Sequence, residues 1–143
     1  MLHNYGTAYC AFVTARAQAG ETVFITGAAG GVGLAAVDLA RHLGLRVIAG
    51  VGSDDKADLV RGYGAVDVIN YRSEDLRERI KAITGGEGVD ICFDNVGGAI
   101  FEQMSRLMNF GGRLLPIGFT SGQIPSLPMN LPLLKNYSIV GVF

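Results

Sequence analysis

The chain has 143 residues, the size of one ordinary domain with room for a substantial core. With 49% hydrophobic residues, 17% charged residues and a formal net charge of −1, it has no charge surplus that would draw it to nucleic acid or a membrane surface. Two cysteines, Cys10 and Cys92, are too few for a disulfide framework or a structural zinc site; they read as small buried hydrophobes in a reducing, cytoplasmic compartment, and no apolar run is long enough to span a bilayer.

The first segment, Tyr5–Gln18, is helical in composition, with Ala8, Ala11, Ala15 and Ala17 among its residues. Ala15-Arg16-Ala17 imitates a leader cleavage site, but no Lys or Arg precedes the apolar stretch, so secretion is disfavoured. From Thr22 the pattern becomes strand, helix, strand, helix. Thr22–Thr26 is a short β-rich run ending on Gly27, and Val32–Leu43 carries apolar residues at helical spacing and stops at Gly44. Arg46–Gly50 reads as the second strand, Asp54–Arg61 as a helix ending near Gly62, and Val66–Ile69 as the third strand. Asp75–Thr84 is a third helix and Val89–Phe93 the fourth strand. Ile100–Met108 is a fourth helix, with Met104 and Met108 in the core, and Gly111-Gly112 turns into a fifth strand, Arg113–Ile117. Ser121–Pro128 is irregular, Asn130–Leu134 a short helix, and Tyr137–Phe143 a sixth strand.

Apolar strands alternating with helices imply parallel pairing through right-handed crossovers. Six strands in two halves predict an α/β fold, a doubly wound Rossmann sheet in the order 3-2-1-4-5-6. Residues 1–20 lie outside this repeat and read as a lead-in helix from something not here, and 21–143 form the dinucleotide-binding domain.

The chemistry concentrates in Gly27-Ala28-Ala29-Gly30-Gly31-Val32-Gly33, between the first strand and its helix. Gly27 lets the chain leave the strand, and Gly30 and Gly31 clear the way for backbone N–H groups to reach a pyrophosphate. Gly33 lets the helix pack closely on the sheet. The helix start adds unpaired donors and the positive end of its dipole. The spacing is G-x-x-G-x-x-G, a weak signal alone and a strong one in this strand-turn-helix setting. No Lys-Ser/Thr pair follows the glycines, which excludes an ATP-hydrolysing P-loop.

NAD-specific domains carry an acid at the end of the second strand. Here Val47-Ile48-Ala49-Gly50-Val51-Gly52 has none, and Ser53 and Lys56 follow. A hydroxyl, a cation and a helix start suit the 2′-phosphate of NADPH, with Tyr71 from the neighbouring loop. The competing reading makes Ser53 only a helix cap and Lys56 a solvated charge, with Asp54 and Asp55 as first-turn acids that would repel a phosphate.

Other chemistries lack support. His42 faces solvent on the helix after the glycines and His3 lies in the terminus; there is no G-x-S-x-G elbow and no Cys/His/Glu spacing that would ligate zinc. Asp90 falls at the entrance of the fourth strand. Asp94 falls at its end near the cleft, a hydrogen-bonded strand-end aspartate before it is an acid-base group.

Gly6-Thr7-Ala8-Tyr9, Thr26–Gly33, Val68-Ile69-Asn70-Tyr71, Asp94-Asn95-Val96-Gly97-Gly98 and Asn136–Phe143 together resemble the quinone oxidoreductase (zeta-crystallin-like) branch of the zinc-independent medium-chain dehydrogenase/reductase superfamily. The resemblance covers nearly the whole chain. It implies metal-free hydride transfer from NADPH to a quinone, or to another activated alkene or carbonyl. No catalytic residue need lie in this chain, which would be inactive alone. Ala29, Gly30, Gly31, Val32 and Gly33 would bind the pyrophosphate. Ser53, Lys56 and Tyr71 would hold the 2′-phosphate, and Asn95, Phe119 and Thr120 would line the ribose–nicotinamide region. Thr7 and Phe143 would border the nicotinamide. Relatives run to more than twice this length, so the chain looks like an excised cofactor domain. An enoyl-thioester reductase, or a non-catalytic dinucleotide-binding or dimerisation module, remains an alternative. The last strand, residues 137–143, is apolar and free of blunting charges, and implies a homodimer through that edge.

Overall fold

Alternation of side chains along each strand gives this sheet two apolar faces, and helices cover both. A computed structural model describes residues 2–143, the Leu2 side chain excepted. The strands are β1 (Thr22–Ile25), β2 (Arg46–Val51), β3 (Asp67–Asn70), β4 (Val89–Asp94), β5 (Met108–Pro116) and β6 (Ser138–Ile139). They form one sheet in the order β3-β2-β1-β4-β5-β6, every pair parallel. The helices are α1 (Leu2–Thr14), α2 (Gly31–His42), α3 (Ala57–Tyr63), α4 (Leu76–Thr84), α5 (Gly98–Met104) and α6 (Asn130–Lys135). This is the doubly wound Rossmann architecture that the repeat of strands and helices predicts.

Val23, Ile25, Val47, Ala49, Ile91 and Phe93 point to the face covered by α1, α2 and α3, where Phe12 of α1 meets Phe93 at 5.6 Å between ring centres. Phe24, Ile48, Ile69, Cys92 and Leu114 point to the other face, beneath α4 and α5. α1 and the residue after it dock through Ala8, Ala11, Phe12 and Ala15, an i, i+3, i+4, i+7 stripe that is fully buried. Cys10 falls off that stripe and is exposed, so only Cys92 is a buried hydrophobe; the helical period decides against the composition-based reading of Cys10. The end of α1 is pinned by Arg113, whose Nε donates to the Ala15 carbonyl (2.8 Å) and whose guanidinium grips both oxygens of Glu21. Burial pushes the Glu21 carboxyl up, but Arg113 and the N–H of Gln18 more than reverse this and hold it below its ordinary range.

Several boundaries differ from expectation. The segment expected as one helix over Asp54–Arg61 is a 3-10 turn, Asp54–Lys56, followed by α3, which runs through Gly62 and is capped at Gly64. α5 stops at Met104, and β5 already begins at Met108, so Met108 is a core residue on a strand rather than on a helix. Gly111-Gly112 lies inside β5: the register jumps from Val89–Met108 to Ile91–Arg113, and the extra residues are absorbed where Gly111 takes a φ of 72°. β6 is short, although the N–H groups of Val140 and Val142 continue its ladder onto Leu114 and Pro116.

Candidate functional site

In an open sheet of this order, the crevice lies where the chain leaves β1 and β4 in opposite directions, outside their C-terminal ends. A cleft of about 530 Å³ occupies that position. The glycine turn forms its floor. Thr26 donates its backbone N–H to Phe93, Gly27 donates to the Tyr71 hydroxyl (3.3 Å) and Ala28 donates to Gly50 (3.0 Å), so three successive donors fasten the turn to the rest of the sheet. Gly27 has a φ of 57°, a left-handed conformation that side chains disfavour. Beyond it the chain enters α2 through Gly30, whose extended backbone carries no side-chain cap. The N–H groups of Gly31, Val32 and Gly33 open α2 and have no i−4 partner within the helix.

The glycines are small for different reasons. A Cβ on Gly33 would overlap the carbonyl of Gly27, so here the helix packs on the turn itself. One on Gly31 would sit 2.7 Å from the Asn4 amide of α1, and one on Gly30 would meet only the Gly27 carbonyl, at 3.5 Å. Ala29, Gly30, Gly31, Val32 and Gly33 all line the cleft.

The loop after β2 forms one side. Ser53 is extended and its hydroxyl caps no backbone N–H of the short 3-10 turn Asp54–Lys56, so a purely capping role finds no support. Ser53 and Lys56 both line the cleft, and so does Arg72, which sequence reasoning misses. Neither Lys56 nor Arg72 forms a salt bridge among the described residues. Of the two acids beside them, Asp54 is drawn away to the Asn70 amide (3.0 Å). Asp55 is exposed, and the Ser53 hydroxyl with nearby Lys56 holds its carboxyl below the ordinary range.

The opposite side is built on Asp94, fully buried at the end of β4. It accepts hydrogen bonds from the Thr26 hydroxyl (2.7 Å) and from the N–H groups of Val96 and Gly97. Burial pushes its carboxyl up, and these bonds partly offset that. Asn95 then donates its backbone N–H to the Thr26 hydroxyl and its side-chain amide to the Thr26 carbonyl, both at 2.9 Å. The loop after β5 folds over Asn95, with the Thr120 N–H donating to its carbonyl. Asn95 and Thr120 line the cleft. Asp94 is therefore the strand-end clasp expected of it, and Asp90 at the strand's entrance accepts from Thr22 and Asn109.

Four expected site residues lie elsewhere than on the cleft lining. The Thr7 hydroxyl donates to the His3 carbonyl in α1, the Tyr71 ring runs beneath the turn, Phe119 stands beside Gly97, and Phe143 is fully exposed at the chain end. Among the described residues no group of three or more His, Cys, Asp or Glu is placed to hold a metal ion, and no helix is long and apolar enough to cross a membrane.

A family model described as zinc-binding dehydrogenase matches residues 31–143. The quinone oxidoreductase-like protein 2 homolog of Nematostella vectensis is 40% identical over 142 residues, 98% of this chain and 39% of that protein. A 2-haloacrylate reductase of Burkholderia sp is 35% identical over 122 residues, 85% of this chain and 37% of the relative. The crystal structure of Escherichia coli quinone oxidoreductase complexed with NADPH superposes with a TM-score of 0.89 at 33% identity, covering 100% of this chain and 44% of that one. The chain thus spans about two fifths of the length of these relatives. It belongs to the zinc-binding dehydrogenase family, in its quinone oxidoreductase branch.

Proposed function

We propose that the chain is the dinucleotide-binding part of an oxidoreductase that uses NADPH to reduce a quinone or another activated alkene or carbonyl. The observation that carries this is the composition of one cleft. The glycine turn and the start of α2 supply backbone donors for a pyrophosphate, and Ser53, Lys56 and Arg72 supply a hydroxyl and two cations for a 2′-phosphate. The end of β2 carries no carboxylate to compete for a ribose 2′-hydroxyl, and Asp54 is occupied by Asn70. The donor set therefore fits NADPH better than NADH.

NADPH would supply the hydride, and the residues of this chain would supply position and electrostatics. Ala29 to Gly33 would hold the pyrophosphate, Arg72 and Lys56 would fix the adenosine end, and Asn95 and Thr120 would border the reacting end. Thr7, Phe119 and Phe143 remain candidates for the nicotinamide surroundings. The relatives named for quinones and for 2-haloacrylate support a small electrophilic substrate. The same reading assigns residues 1–20 to a lead-in helix and 21–143 to the dinucleotide domain, in a cytoplasmic homodimer joined along β6.

Titration of the chain with NADPH and NADH tests the assignment. NADPH should bind at least about tenfold tighter, about 1.4 kcal/mol, and Arg72→Ala or Lys56→Ala should remove most of the difference. Equal affinities in the unmutated chain would overturn the 2′-phosphate reading.

A further inference from the structure

β1 and β4 lie side by side, and their register ends at Ile25 and Phe93. Beyond that point α2 leaves for one face of the sheet and α5 for the other, so no shared crossover ties the two strand ends together. Thr26 spans this gap. It is fully buried, and each of its polar groups is engaged across it. Its N–H donates to the Phe93 carbonyl (3.0 Å), and its hydroxyl donates to Asp94 (2.7 Å) while accepting the N–H of Asn95 (2.9 Å). Its carbonyl accepts the side-chain amide of Asn95, also at 2.9 Å. The connection then runs onward, because the Asn95 carbonyl accepts the N–H of Thr120 at 3.1 Å. Asn95 and Thr120 line the cleft; Thr26, which holds them, does not.

We propose that Thr26 is a positioning residue for the end of the cleft that takes the nicotinamide riboside: it fixes Asn95, and through Asn95 the loop carrying Thr120, against the end of β1. The effect on binding rests on the dinucleotide reading, but the clasp itself does not. The position calls for a donor and an acceptor on one atom. Asp94 accepts from Val96 and Gly97 as well as from Thr26, and the Asn95 N–H beside it needs an acceptor of its own. An apolar side chain of the same shape would leave that N–H without its partner, next to a buried carboxylate that has lost a donor. The branched side chain of threonine also restricts the rotamers open to the hydroxyl. The glycine turn keeps a separate fastening, from the Ala28 N–H to the Gly50 carbonyl, so the loss falls on the reacting end and not on the pyrophosphate donors.

Thr26→Val keeps the shape and removes the hydroxyl, and Thr26→Ser keeps the hydroxyl. In the nucleotide-free Val variant, amide hydrogen exchange should quicken at Asn95 and Thr120 while Ala28 exchanges as before. Affinity for NADPH should fall about tenfold, and Thr26→Ser should restore it to within about threefold. Affinity for 2′-phosphoadenosine 5′-diphosphate, which has the adenosine end and the pyrophosphate but no nicotinamide riboside, should change by less than about twofold. Equal losses for the two nucleotides would overturn the proposal, because the hydroxyl would then be serving the glycine turn. Unchanged NADPH affinity, or unchanged exchange at Asn95, would overturn it too. Should Thr26→Val not fold, Thr26→Ala, which sets no methyl against Asp94, decides on the same readings. If the unmutated chain bound neither nucleotide, the dinucleotide reading would fail, and exchange at Asn95 would still decide the clasp: faster exchange supports it and unchanged exchange refutes it.

Discussion

Gly30 and Gly33 are three residues apart in one turn, yet the structure asks different things of them. At Gly33 a methyl group would overlap backbone, which can yield only by moving the turn or the helix. Gly33→Ala should therefore cost about 2–3 kcal/mol of stability in denaturant unfolding. At Gly30 the backbone is an ordinary extended one (φ −78°), and the added atom meets nothing closer than 3.5 Å. Gly30→Ala should cost about 1 kcal/mol or less, as expected for a cap position. It should nevertheless weaken NADPH binding about tenfold, because the methyl stands where the phosphate approaches. Equal stability losses at the two sites would show that Gly30 is structural too. Arg72 teaches a different lesson. It reads in the sequence as one more charge after a strand. Only the direction in which β3 ends distinguishes it from Tyr71, and a sequence pattern does not carry that direction.

Among the elements, the legible ones are those with an unambiguous period. The strands flanking the glycine turn and the helix that follows it are set by continuous apolar runs and a 3.6-residue stripe, and they appear where those patterns place them. The boundary between α5 and β5 is not legible. Met104 and Met108 keep helical spacing while a strand begins between them and Gly111, and tertiary pairing with β4 decides the outcome. β6 shows the opposite imbalance: a long apolar run yields only Ser138–Ile139 in regular pairing. Its inner donors, Val140 and Val142, are taken by β5, so the outward N–H groups belong to Ile139, Gly141 and Phe143. Ile139 is 40% exposed there, with no strand beyond it in the sheet. If two copies join along this edge, Gly141→Pro should shift a sedimenting dimer toward monomer without disturbing β5, because it removes an outward donor. A monomer of the unmutated chain at high concentration would rule out the seam.

At the scale of the whole molecule, two of the hollows among the described residues are large, and size does not choose between them. The hollow at the foot of the sheet, lined by Ala15, Arg16, Gln18, Glu21 and Arg113, is the larger, at about 610 Å³ against about 530 Å³. Its most buried cation is already spent, since Arg113 is neutralised by Glu21 and tied to Ala15. The cleft at the switch point instead has open backbone donors and two cations, Lys56 and Arg72, that form no salt bridge among the described residues, which is what a dinucleotide phosphate needs. The direct test is to follow the backbone amide resonances of the chain during titration with NADPH. The largest saturating shifts should fall on Gly30–Gly33, Ser53–Lys56, Arg72, Asn95 and Thr120. Shifts gathered instead around Arg16, Gln18 and Arg113, with the glycine turn unmoved, would contradict the account.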